Sequence, residues 1–174
     1  MDGDRERFEA LFGTYYGAVV RYAVRRVGQD TSGEVVAETF TVAWRRLDQI
    51  PDNALPWLYA TARRVVANEL RRRSRAVRLG ERLAAQQVDA VADHAGPLAE
   101  SLRVQAALDS LSERDREVLR LSAWEQLPTA DAASVLGCSE SAYKVRLHRA
   151  RRRVGLLLAA SDANSQLEPE GGRP

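Results

Sequence analysis

Lys144, Val145, His148, Arg149 and Arg152 follow one another at intervals of one, three, one and three residues, and Ser141 lies three residues before the first of them. In a helix that spacing gathers all six on one side. Cations placed so can reach phosphates and guanine edges, and a valine methyl can touch a thymine methyl. Ser139 stands where such a helix would begin, a place where backbone N–H groups can receive a phosphate. Tyr143, Leu147, Ala150, Val154 and Leu157 fall on the opposite side as a core stripe. The chemistry this implies is recognition of a polyanion. A solvated basic helix is the plainer reading of the charge alone. A membrane-surface helix fits less well, because the apolar face is small and includes Ala150.

A second cationic cluster, Arg63, Arg64, Arg71, Arg72, Arg73 and Arg75, follows Trp57 and Tyr59. Aromatic rings with guanidinium groups suit unpaired bases and a single-stranded backbone, although a tryptophan here also fits a core position. Covalent chemistry has little support. The two histidines, His94 and His148, have no metal-ligand spacing, and neither a phosphate-cradling glycine loop nor a nucleophile elbow is present. Cys138 is the single cysteine, which excludes an intrachain disulfide and suits inert packing better than a redox switch. Glu34 and Glu38 lie one helical turn apart, but without a pocket signal they suit a partner or solvent better than acid–base work. No metal, cofactor or small-molecule substrate is expected.

The composition agrees. The 174 residues carry a net charge of only +2, with 45% hydrophobic and 29% charged residues. That small net charge hides segregation: basic blocks at 56–82 and 139–154 flank a stretch from Leu83 to Leu102 whose charges are Asp89, Asp93 and Glu100. Two cationic blocks around an acidic one suggest two contacts with a polyanion. Lys144 is the only lysine. Arginine forks onto phosphate and guanine better than lysine, though coding bias in a GC-rich genome explains the excess equally well. No apolar run approaches the length of a membrane span, and the charged N-terminus does not resemble a signal peptide, so a cytoplasmic protein is expected.

Helical periodicity recurs throughout and strand alternation does not, so the expected fold class is all-α. Two small helical domains, an N-terminal bundle and a C-terminal helix-turn-helix domain, would be joined by a flexible acidic linker. The first helix is expected from about Asp4 to Val27, closed by Gly28. The second runs from Ser32, as N-cap, to Leu47. A loop from Asp48 to Pro56, broken by its prolines and Asn53, precedes a third helix from Pro56 to Arg78, with Trp57, Leu58, Ala62, Val65, Val66 and Leu70 facing inward. Residues 79–97 read as linker. A second domain, 98–158, would hold a helix from Leu98 to Leu111, another from Glu113 to Glu125 capped by Ser112, then the pair Thr129 to Leu136 and Ser139 onward around Gly137. A polar tail, 159–174, reads as disordered.

Taken in order, four stretches resemble the sigma-70 family of bacterial transcription initiation factors, in particular its extracytoplasmic-function (ECF) group. FEALFGTYYGAVVRYAVRRVG resembles the family's first helix. SGEVVAETFTVAWRRL, with Glu38-Thr39-Phe40 and Ala43-Trp44-Arg45, resembles its most recognisable segment. PWLYATARRVVANELRRRSR resembles the promoter-melting helix. LDSLSERDREVLRL followed by LGCSESAYKVRLHRARRRV resembles the helix-turn-helix domain.

The resemblance implies a non-catalytic specificity subunit whose partners are core RNA polymerase and promoter DNA. Residues 1–78 would dock on core polymerase through Glu34, Glu38, Phe40 and Trp44, and would read and open the −10 element with Asn53, Arg63, Arg64, Asn68 and Arg71. The −35 element would be bound as duplex by Ser139, Ser141, Lys144, Val145, His148, Arg149 and Arg152. An anti-sigma partner is a further expectation from the group. The chain departs from the family pattern at Arg64, often Asn, and at Asn68, often Asp. Cys138-Ser139 replace Val-Pro, and Ser141-Ala142-Tyr143 replace Gly-Thr-Val, so the core under the bulkier Tyr143 must adjust. Two other readings are open to the same segments: a helix-turn-helix regulator acting without polymerase, and an interaction protein using basic helices on acidic partners.

Overall fold

The computed structural model describes residues 2–81 and 104–165, and among these no strand occurs. The chain divides into two compact units. The first is built on α1 (Asp2–Val27), α2 (Gln29–Arg45) and α3 (Ala54–Glu81). Asp2 and Asp4 in the first turn of α1 and Arg25 and Arg26 in its last complement the helix dipole.

Gly28 turns the chain from α1 into α2 with φ 79° and ψ 169°, a conformation open essentially to glycine alone. It is also the N-cap of α2, which corrects the assignment of that role to Ser32. Ser32 lies inside the helix, where its hydroxyl donates to the Gln29 carbonyl at 2.8 Å. After α2 a short 3-10 turn, Leu47–Gln49, leads to a loop of residues 50–53. α3 therefore begins two residues before Pro56. The proline falls within its first turn, where a missing N–H breaks no helical bond. α3 continues through Glu81, so residues 79–81 are helical and not linker. The remainder of the expected linker, 82–97, and the start of the following helix lie outside the described residues.

Val19, Tyr22 and Ala23 of α1, Val35, Phe40 and Ala43 of α2, and Leu58, Tyr59, Ala62 and Val66 of α3 form the core of this unit. Burying a side chain the size of Val or Leu contributes about 1.5–3 kcal/mol. The rings of Tyr22 and Tyr59 stack with centroids 4.7 Å apart and planes 20° apart. Leu70, expected inward, is exposed, as are Phe12 and Tyr16 of α1.

The second unit contains α4 (104–109), α5 (Glu113–Ala123) and α7 (Glu140–Ser165), with α6 (Thr129–Leu136) leading into α7. Ser112 caps α5, accepting from the Asp115 N–H at 3.2 Å. Arg116 reaches back to the end of α4, donating to the carbonyl of Leu108 at 3.0 Å, which also accepts from the Leu111 N–H at 3.1 Å, and to that of Asp109 at 2.7 Å. α6 ends at Gly137, φ 64°, with Cys138 N–H on Ala133 O and Gly137 N–H on Ser134 O, both at 3.0 Å. That paired closure is a Schellman motif, which favours glycine at this position. α7 runs through Ser165, which corrects the expectation of disorder from 159. Leu and Ala dominate Leu156 to Ala160 and no proline interrupts until Pro169, so helix propagation continues. Residues 166–174 lie outside the described residues.

Candidate nucleic-acid interface

The two faces of α7 separate as its spacing predicts. Tyr143 and Ala150 are buried, and Leu147, Val154 and Leu157 are half-buried. Tyr143 is accommodated fully: it is 1% exposed, and its hydroxyl donates to the Val118 carbonyl of α5 at 3.3 Å. Burial pushes its phenol pKa up. Ser141, Lys144, Val145, His148, Arg149 and Arg152 all point to solvent, with Val145 49% exposed. Ser139 caps the helix through its Oγ, which accepts from the Ala142 N–H at 3.2 Å. One of the N-terminal donors that could hold a phosphate is thus already taken.

Five basic residues of α7 fall into two groups. Arg151 donates to Ser122 Oγ at 3.1 Å and Arg153 pairs with Asp115, so both fasten α7 to α5. Lys144, Arg149 and Arg152 make no ion pair among the described residues. Full cationic charge is therefore left on the outward face, where it can meet a duplex.

On α3, Trp57, Arg64, Asn68 and Arg71 recur at seven, four and three residues and share one side of the helix. Arg64, Asn68 and Arg71 are exposed and Trp57 is half-buried. Arg71 Nη2 donates to Asn68 Oδ1 at 2.6 Å, fixing the two as a unit. Arg63 is half-buried and sits about a third of a turn away. Tyr59, read with Trp57 as a stacking surface for bases, is not available for that: it is buried in the stack with Tyr22. Asn53 is exposed at the end of the loop before α3.

The four residues of α2 expected to dock a partner occupy two different faces. Glu34 and Glu38 are exposed and line a groove of about 630 Å³ between α2 and α3, together with Thr61, Arg64, Asn68, Glu69 and Arg72. Phe40 is 4% exposed and lies in an aromatic cluster with Phe8, Phe12 and Tyr16, while Trp44, 49% exposed, meets the Phe8 ring edge-on at 5.1 Å. Phe40 is thus a support beneath the surface and has little area of its own to offer a partner. Sequence reasoning missed Glu69 as an organiser. Its carboxylate holds Arg72 at 2.8 Å and Arg73 at 3.1 Å, and Arg72 reaches Glu34 at 3.3 Å. The i, i+3 and i, i+4 spacing of Glu69 to these arginines was the available signal.

Among the described residues, no cluster of metal-ligating side chains occurs and no helix is long and apolar enough to cross a membrane.

Comparison with known proteins agrees with this arrangement. Residues 11–76 match the family model of Sigma-70 region 2, and residues 101–154 match that of Sigma-70, region 4. The chain is 32% identical over 154 residues to the ECF RNA polymerase sigma factor SigL of Mycobacterium tuberculosis, covering 86% of this chain and 87% of that one. It is 31% identical over 166 residues to the RNA polymerase sigma-E factor of Streptomyces avermitilis, covering 94% and 92%. Its structure is similar to that of the sigma factor RpoE of Bartonella quintana, solved with the anti-sigma factor NepR, at a TM-score of 0.66 and 26% identity over 87% of this chain and 96% of that one. The chain belongs to the ECF group of the sigma-70 family, the RNA polymerase sigma factors that direct promoter-specific initiation of transcription.

Proposed function

We propose that promoter recognition is divided between the two units, with residues 1–78 engaging core polymerase and the −10 element and residues 98–158 the −35 element. The outward face of α7 enters the major groove of the −35 duplex. Lys144, Arg149 and Arg152 supply guanine and phosphate contacts, Val145 an apolar one, and Ser141 and His148 the remaining polar ones. The stripe Arg64–Asn68–Arg71, with Asn53 from the loop, engages the −10 strand once it is unpaired. Arg63 lies off that stripe and is assigned no base contact.

Opening DNA costs about 1.4 kcal/mol per stacked step, and each base captured by stacking returns about 1–3 kcal/mol. With Tyr59 buried, capture rests on Trp57 and on guanidinium planes, which also stack on bases. Core polymerase docks on Glu34 and Glu38 at the groove edge of α2 and on Trp44 at its aromatic edge, with Phe40 holding that edge in shape. The chain performs no covalent step; polymerase makes the RNA. It acts in the cytoplasm, and an anti-sigma protein covers it when it is idle, a reading supported by the NepR complex of a relative.

The observation that carries this proposal is the pairing, on both α7 and α3, of one packed face with one outward face bearing cations among other polar groups. Run-off transcription with core polymerase on a promoter library tests it. The expected result is initiation that depends on bases at both elements. Initiation with no dependence on either element would overturn the division of labour.

A further inference from the structure

We propose that Arg7 is a positioning residue for −10 recognition, which from α1 sets the loop that presents Asn53 to the promoter strand. This rests on the assignment of that loop and α3 to the −10 element.

Arg7 Nη2 donates to the Ile50 carbonyl at 2.7 Å, a bond that spans 43 residues of sequence and joins the start of α1 to the loop. Residues 51–53 hang between two buried anchors, Ile50 and Ala54, each 3% exposed, whereas Pro51, Asp52 and Asn53 face solvent. The loop's other backbone bonds are local: Gln49 N–H to Arg46 O, Ile50 N–H to Leu47 O, and Ala54 N–H to Asp52 O. Pro51 has no N–H with which to tie the chain elsewhere.

Ile50 has φ −80° and ψ 121°, the extended region favoured before proline. The Ile50–Pro51 peptide is where the chain leaves its buried anchor and turns towards Asn53. A rotation of that peptide would leave Ile50 packed but would re-aim Asp52 and Asn53. The guanidinium of Arg7 fixes the carbonyl of this peptide and thereby the direction in which Asn53 is offered. Arg7 itself touches no base.

The test uses the full chain assembled with core polymerase, on a library with a fixed −35 element and a randomised −10 element. Wild type, Arg7→Ala, Arg7→Lys and Asn53→Ala are compared. Alanine keeps the helix of α1 intact. Arg7→Ala is expected to reduce discrimination among −10 sequences about three- to tenfold, the size of one hydrogen bond lost. Core affinity and −35 dependence should stay at wild-type values, and Arg7→Lys, which keeps a donor, should recover part of the discrimination. If Asn53→Ala alters −10 preference and Arg7→Ala does not, the positioning role is overturned while the loop assignment stands. If Asn53→Ala changes nothing, the loop assignment fails and the role of Arg7 falls with it. A loss of −10 discrimination that comes with an equal loss of core affinity also overturns the proposal, because Arg7 would then serve only the fold.

Discussion

α3 and α7 are both arginine-rich, yet they handle their charge in opposite ways. On α3, Glu69 holds Arg72 and Arg73, Arg72 also reaches Glu34, and Arg71 is turned onto Asn68. On α7, Arg151 and Arg153 fasten the helix to α5, while Lys144, Arg149 and Arg152 stand outward without an ion pair among the described residues. A duplex is a dense line of phosphates, and unpaired cations suit it through release of counterions. An unpaired strand is flexible, and holding it requires side chains of fixed direction as much as charge. On the proposed division of labour, the same residue type serves attraction on one helix and orientation on the other.

The largest effect that would break this comparison comes from removing the platform under α7. Tyr143→Ala deletes a buried ring and its bond to Val118 and should destabilise the C-terminal unit by about 3–5 kcal/mol. Denaturation followed by circular dichroism would register it, with −35 dependence lost and the N-terminal unit still folded. Next is Arg149→Ala, expected to cost about 1–3 kcal/mol at the −35 element, with the salt slope of binding reduced by about one; titrations at several salt concentrations would measure both.

Arg64→Asn sharpens the other side. It should alter −10 preference or melting while leaving −35 binding and its salt slope as they were, and an unchanged transcription profile would dismiss the contact. The smallest effect concerns Glu69. The hydrogen bond from Arg72 outweighs partial burial and holds its carboxyl below the ordinary value of 4.5. A depressed folded pKa means that its contribution is complete above that value and is lost as pH falls through the lower folded one. Thermal melts of wild type and Glu69→Gln should therefore differ slightly at neutral pH and converge only in acid below pH 4.5.

The legibility of the chain follows the range of the contacts involved. The faces of α7 were plain because they depend on local spacing alone, and Gly137 marked the turn because its backbone is one that glycine favours. Glu38-Thr39-Phe40 misled for the same reason. Contiguous residues read as one motif, but a helix sends Glu38 to the groove and Phe40 to the core. Ser32 looked like a cap by residue type, whereas Gly28 supplies the conformation that starts α2. The stack of Tyr22 on Tyr59 and the bond of Arg7 to Ile50 join distant parts of the chain, and no local pattern encodes them. The extension of α7 past residue 158 is hidden in the sequence because polar residues from Ser161 onward mask its helix-forming alanines.

The most direct measurement is a base-by-base selection profile of promoters, taken with holoenzymes carrying either Arg149→Ala or Arg64→Asn. The account predicts that the first changes preference only at the −35 positions and the second only at the −10 positions. Exchange of those two footprints, or the same change in both, would contradict it.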